Sequence, residues 1–287
     1  LSARDTSATL SNPTTNSQDN KEVKTYLNFS LKQVECVIWN NSLRLGQGKY
    51  KITASLENAT GIAMQDMLDD LIEELFIGEP SDQTDPIWDS QCGVNHVCSE
   101  TNTLYGIDRT ASDYFRSHRV SASKAASLAL VDDANVTQGI RAKNARGVNF
   151  GIVGSEAWTQ IKAEALTKGL GALVQEGNPM AARYGILNEA VAVGNTVITW
   201  DPGLTDYSGG TGSEDANLTD FGFFFDMGDW FFQTMEGENF NVGPFIDISQ
   251  YASGGYDARR SLFTLMYRFG CYRPWNQIAY QNLTTNS

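Results

Sequence analysis

Positive charge is scarce in this chain. Its 287 residues carry 21 Lys and Arg against 34 Asp and Glu, a formal net charge of -13. A general nucleic-acid binder needs Lys and Arg to neutralise phosphates, so that class is excluded. Histidine is scarcer still, with only His96 and His118. Both stand in polar stretches and are expected at the surface. No G-x-S-x-G elbow accompanies them, and no further ligands stand at metal-binding spacing. Long apolar runs are missing: none approaches the roughly 20 residues of a membrane-spanning helix. Of the four cysteines, at 36, 92, 98 and 271, only Cys92 and Cys98 lie close together. Free thiols are one reading of that pair and a loop disulfide is the other; without a second pair they make a poor zinc signature. The chain starts at Leu1 with neither an initiator Met nor a signal-peptide pattern, so Leu1 is not expected to be the encoded N-terminus.

What is present suits a sizeable core: 41% of the residues are hydrophobic. The organising stretch is 61–78. Met64, Met67, Leu68, Leu71, Ile72 and Leu75 recur at helical spacing, while Asp66, Asp69, Asp70, Glu73 and Glu74 are assigned to the opposite side. Gly78 and Pro80 end this amphipathic helix. Residues 1–21 are polar and read as a tail. Residues 22–58 hold β-like runs, and 43–56 reads as a long hairpin turning at Gly46–Gly48. Residues 79–103 read as a polar loop carrying Trp88, Cys92, Cys98 and His96.

Beyond the compact turn 104–109, residues 124–146 form an Ala-rich helical pattern with Leu128, Leu130, Val131, Val136 and Ile140. A buried strand is expected over 148–153. A second helix, capped by Gly154-Ser155, should turn Trp158, Ile161 and Leu166 inward. Strands follow in 184–200, then an exposed Gly/Ser/Asp loop over 202–220. Phe221–Asp226 and Asp229–Met235 read as an aromatic strand pair around Met227-Gly228. The alternation of 260–280 describes one long strand that Pro274 bends or ends. The whole is α+β.

No stretch carries a catalytic signature. The carboxylates of 66–74 crowd one helix, whereas glycosidases hold two across a cleft, so a solvated or partner-binding face is the better reading. Gly46-Gln47-Gly48-Lys49 lacks the P-loop spacing, and no helix is expected to follow it. The aromatic run 221–232 reads as core rather than as a sugar or base platform.

The order of these elements resembles the major capsid proteins of tailed bacteriophages, the Hong Kong 97-type capsid fold. The resemblance is carried by the hairpin and acidic helix, by Leu104-Tyr-Gly-Ile-Asp-Arg109 and by Asp113-Tyr-Phe-Arg116. It continues through Asn149-Phe-Gly-Ile-Val-Gly-Ser-Glu-Ala-Trp158, Gly194-Asn-Thr-Val-Ile-Thr-Trp200 and the closing Leu262–Pro274 strand. It covers the chain after about residue 22 as a succession of weak motifs.

The resemblance implies an N-terminal arm over 1–21 and an E-loop over 22–58 that reaches a neighbouring subunit. It implies a peripheral domain over 59–123, with the spine helix and an insertion loop. An axial domain over 124–220 follows, then return strands to the peripheral domain over 221–287. The function implied is structural, with no cofactor, metal or catalytic residue: the main subunit of an icosahedral head in the virion, assembled in the host cytoplasm. Its partners would be copies of itself in hexamers and pentamers, a scaffolding protein or segment, a portal, a decoration protein and packaged double-stranded DNA, with no membrane. Trp39, Arg44, Lys49, Tyr50, Lys51, Asp66, Asp70, Glu73 and Glu74 are the expected contacts between subunits. The alternatives are an encapsulin-like nanocompartment shell and, from another class, a secreted carbohydrate-binding or carbohydrate-active protein.

Overall fold

A computed structural model describes residues 27–39, 49–83, 85, 87–110, 115–121, 123–142, 147–168, 190–201, 204, 218–236, 241–247 and 258–284. Four α-helices occur among them: α1 (Lys49–Ile77), α2 (Val94–Val97), α3 (Ala129–Ala142) and α4 (Ser155–Thr167). The first strands are β1 (Phe29–Trp39), β2 (Ile87–Trp88), β3 (Thr103–Leu104), β4 (Ile107–Asp108), β5 (His118–Val120), β6 (Phe150–Val153) and β7 (Ala190–Val193). The rest are β8 (Thr196–Trp200), β9 (Gly222–Phe225), β10 (Trp230–Thr234), β11 (Asn241–Val242), β12 (Ile246–Asp247), β13 (Ala258–Cys271) and β14 (Ile278–Tyr280).

The first sheet is built on β13. On one side β1 pairs with it antiparallel from Ser30↔Tyr267 to Trp39↔Ala258. On the other side β10, β11 and β12 pair with it in succession. The alternation read from the sequence is present: Phe263, Leu265 and Tyr267 are buried, and Leu262, Thr264 and Met266 are half-buried. The buried side meets α1, where Ala63, Met67 and Leu71 join Cys36, Ile38, Phe263, Leu265 and Tyr267 in one core. No described element covers the opposite side.

The second sheet runs β5-β14-β9-β6-β8-β7. Both of its faces are packed. Leu130, Val131 and Ala134 of α3, with Trp158 and Ile161 of α4, cover Val191, Ile198, Phe224 and Tyr280 on one face. Phe76, Val94, Cys98, Leu204 and Leu218 cover Val197, Phe223 and Phe225 on the other. All four residues of β9 are therefore buried, as expected of a strand covered on both sides.

Several sequence expectations change. Residues 43–48 of the expected hairpin lie outside the described residues, and its second arm is helix, since α1 begins at Lys49. A helix thus follows the glycine-punctuated stretch after all. The aromatic strands β9 and β10 are not partners: β9 pairs β6 and β14 in the second sheet, and β10 pairs β13 in the first. The turn between them, a 3-10 helix at Met227–Asp229, passes the chain from one sheet to the other. β9 and β14, after residue 220, lie in the same sheet as β6 and β8. Leu166 points outward instead of inward, because Ala157, Ile161 and Ala165 make the inner stripe of α4; on α3 the inner stripe is Leu130, Val131 and Ala134, with Val136 and Ile140 exposed. The long strand ends at Cys271, and Pro274 opens a 3-10 turn before β14.

Candidate functional site

The stretch expected to be a surface loop is the internal brace of the molecule. Every residue from Gln91 to Ser99 is buried. Gly93 and Gly78 bring the brace against the end of α1: Gly93 N donates to Gly78 O at 2.8 Å. A Cβ on Gly78 would lie 2.4 Å from the Glu74 and Gln91 carbonyl oxygens, so only glycine fits.

The last carbonyl groups of a helix have no partner within it. Arg109, fully buried, turns its guanidinium onto His96 O at 2.6 Å, Val97 O at 2.8 Å and Ser99 O. Burial lowers its pKa to about 10, which leaves it charged at neutral pH. The preceding hairpin β3–β4 turns at Tyr105 and Gly106, both at positive φ, and this sets Arg109 in place. The Tyr105 hydroxyl accepts from Cys271 N at 2.7 Å, tying the hairpin to β13.

Of the two readings of the cysteine pair the structure has the free thiols, and one expectation for this stretch is corrected. Cys92 and Cys98 are free and fully buried. They point into different cores: Cys92 packs with Trp88, Leu104 and Cys271, and Cys98 with Phe76, Val94 and Phe223. His96 is buried, not at the surface; its Nε2 lies 2.8 Å from Thr103 O and its Nδ1 3.5 Å from Glu79. His118 is half-buried, 2.8 Å from Glu100. These groups hold backbone and one another, and no metal-binding group of three His, Cys, Asp or Glu occurs among the described residues.

Glu74 is likewise withdrawn from the outer face of α1. It is buried, bonded to Lys32 Nζ at 2.9 Å and accepting from Gln91 N at 2.7 Å. It stands two turns after Met67 on the core stripe, a spacing that could have placed it inward from sequence. Of the other expected contacts, Asp66 and Asp70 are exposed and Glu73 is half-buried. Lys49, Tyr50 and Lys51 lie in the first turn of α1, Trp39 ends β1, and Arg44 is outside the described residues.

Exposed apolar side chains occur on the first sheet and α1, and also at Val136 and Ile140 of α3 and Leu166 of α4. Leu31, Val37, Phe232, Val242 and Ile246 are exposed on the sheet, and Ile62, Met64 and Ile72 on the helix. An apolar groove of about 410 Å³ lies between them, lined by Gly61, Met64, Val242 and Phe263. In contrast, Phe223, Phe224 and Phe225 are buried, so the aromatic run offers no sugar platform there. No helix among the described residues is long and apolar enough to cross a membrane.

No family model and no curated protein matches the sequence. Solved structures do match in shape. The chain is similar to the capsid asymmetric unit of cyanophage A-1(L), with a TM-score of 0.53 and 11% identity over 90% of this chain and 77% of that one. It is also similar to the holo-SrpI encapsulin complex from Synechococcus elongatus PCC 7942, with a TM-score of 0.50 and 8% identity over 90% of this chain and 75% of that one. The chain has the Hong Kong 97-type capsid fold. Identities this low carry the fold and nothing finer. α1 spans Lys49–Ile77 and so contains most of the 61–78 stretch read as a helix, starting a dozen residues earlier than that pattern suggests.

Proposed function

We propose that this protein is the shell-forming subunit of an icosahedral phage head that encloses double-stranded DNA. The observation that carries the reading is a one-sided first sheet: a Hong Kong 97-type body leaves this sheet and the outer side of α1 bare, with Leu31, Val37, Ile62 and Ile72 exposed. Bare apolar surface on an otherwise well-packed body is the form that repeated modest contacts between copies require. The role is architectural. Residues 22–58 and the outer side of α1 are the proposed reach toward neighbours, with a scaffolding protein and a portal as partners in assembly. The net charge of -13 suits a wall that encloses DNA without gripping it.

A second reading rests on the encapsulin similarity: a shell around a protein cargo. Electron microscopy and light scattering of the purified chain test both. Closed shells or ring-shaped capsomers are the expected result, and a chain that stays monomeric under every condition overturns both readings. Co-purifying DNA supports the phage head, and a co-purifying enzyme supports the nanocompartment.

A further inference from the structure

Two buried carboxylates at one end of the second sheet share a single basic side chain. Asp229 is taken by Arg273, whose Nε lies 2.7 Å from Asp229 Oδ1. Asp226, also buried at 4% exposure, has no ion pair with any described residue. Its Oδ1 accepts from Asn149 Nδ2 at 2.7 Å and from Gly228 N at 3.0 Å, and its Oδ2 is buried with no hydrogen-bond partner. Buried charges in proteins are paired or coordinate a metal, because an isolated one is costly.

Two amides are stranded at the same end. Asn276, 1% exposed, donates Nδ2 to Asp229 Oδ2 at 2.7 Å and leaves its Oδ1 buried and unpartnered. Gln138 of α3, 2% exposed, has a partner for neither Oε1 nor Nε2. Native proteins leave few buried polar atoms unsatisfied, so such a group calls for a shared cause.

The topology brings the three side chains together. Ile278 of β14 stands opposite Phe224 of β9, and Phe150 of β6 opposite Phe225. Continued past the strand ends, these registers set Asn276 and Asn149 on either side of Asp226. Phe224 and Ile278 belong to the core beneath α3, and two residues on, Asp226 and Asn276 share that face. Gln138 follows Ala134 by four residues and Val131 by seven, on the inner stripe of α3. The Pro274–Asn276 turn packs against the same helix.

The stranded acceptors are one carboxylate oxygen and two amide oxygens, with no sulfur or imidazole among them. Calcium takes this mix of carboxylate, amide carbonyl and water in flexible geometry, whereas magnesium demands a near-ideal octahedron and keeps most of its waters. A water alone would satisfy hydrogen bonds here but leave the charge of Asp226 uncompensated.

We propose that Asp226 Oδ2, Asn276 Oδ1 and Gln138 Oε1 bind a calcium ion between α3 and the end of the second sheet. Waters complete its coordination and accept from Gln138 Nε2. The ion ties β9 and β14 to the helix that covers them. It acts within one copy, so the inference stands apart from the shell reading.

Calcium itself is the probe, added to the unassembled full chain after stripping with EGTA. With one carboxylate among the ligands, a Kd of roughly 0.1–1 mM is expected. In about 10 mM calcium the folding equilibrium constant, measured in urea, should then rise about 10–100-fold by mass action. Magnesium at the same concentration should raise it less than about threefold. Asp226→Asn keeps the volume and an oxygen for Asn149 and Gly228 while removing the charge. It should abolish the calcium effect and fold in EGTA at least as well as wild type. Gln138→Met should weaken the effect severalfold. The pair Asp66→Asn and Asp70→Asn, exposed on α1, should retain it, which separates the site from general screening of the negative chain. No calcium shift in wild type overturns the inference and gives the stranded atoms to ordered water. A full shift in Asp226→Asn or in Gln138→Met overturns it as well.

Discussion

Replacing Arg109 with methionine should remove the pin of the internal brace while leaving its volume nearly unchanged. The guanidinium is fully buried and faces no carboxylate; its main partners are the carbonyl oxygens of His96, Val97 and Ser99, with Ser117 Oγ at 3.3 Å. His96 O keeps the Ser99 N–H at 3.2 Å and Val97 O keeps the Ser117 hydroxyl, so Ser99 O is the carbonyl that loses its donor, at about 1–3 kcal/mol. The charged bonds lost from the other two add about 1 kcal/mol each and the desolvation returned with the charge offsets part of this, so the net loss is about 2–4 kcal/mol. That is a large share of the 5–15 kcal/mol by which a domain is stable. Arg109→Lys should fall between, because one ammonium cannot spread over carbonyls that a planar fork reaches together. Urea denaturation of the unassembled chain, followed by near-ultraviolet circular dichroism, measures both. A loss below about 1 kcal/mol for Arg109→Met would refute the assignment of Arg109 as the pin.

Acid should loosen the same region. Glu79 is held below the ordinary carboxylate value of 4.5 by its hydrogen bond with His96. Burial pushes the Glu100 carboxyl up, but the His118 hydrogen bond and the Arg119 N–H outweigh it and leave its pKa lowered. Stabilisation from depressed carboxylates is fully present above 4.5 and is lost as pH falls through their folded values. Unfolding free energy should therefore decline below about pH 5, and less steeply in Glu100→Gln. Burial pushes the Cys92 and Cys98 thiols up to about 12. A thiol reagent should find all four cysteines after denaturation and label these two slowly before it; a denatured titre of two would reinstate the disulfide. Gly93→Ala places a Cβ 2.7 Å from Gly78 N and should destabilise by about 2–4 kcal/mol, whereas Gly139→Ala, open on α3, should be neutral or slightly stabilising in the same denaturation assay.

The parts legible in the sequence are those where one periodicity acts alone. Met67 and Leu71 of α1 and the alternation of β13 follow from side-chain spacing against a single packed face, and Phe150–Val153 from a short apolar run, whereas Met64 and Ile72 of the expected stripe are exposed. The first turns of α1 were misread for the same reason. Tyr50, Ile52, Ala54 and Leu56 alternate with Lys51, Thr53 and Ser55, a pattern of period two that the helix overrides. The brace was illegible because its residues are polar. Gln91, Asn95, His96 and Ser99 are buried because partners far along the chain satisfy or enclose them. Gln91 reaches Ser30 and the Phe269 N–H, for instance, and sequence spacing does not show such pairs.

The two sheets divide the work of this chain. The second sheet has helices on one face and the brace on the other; its inner strands are buried and its edge strand β5 is half-buried. Both of its faces are covered within one copy. The first sheet has α1 on one face, an uncovered face opposite and an edge unpaired over nine residues among those described. The uncovered face and the open edge are where a further chain has surface and backbone hydrogen bonds left to take up.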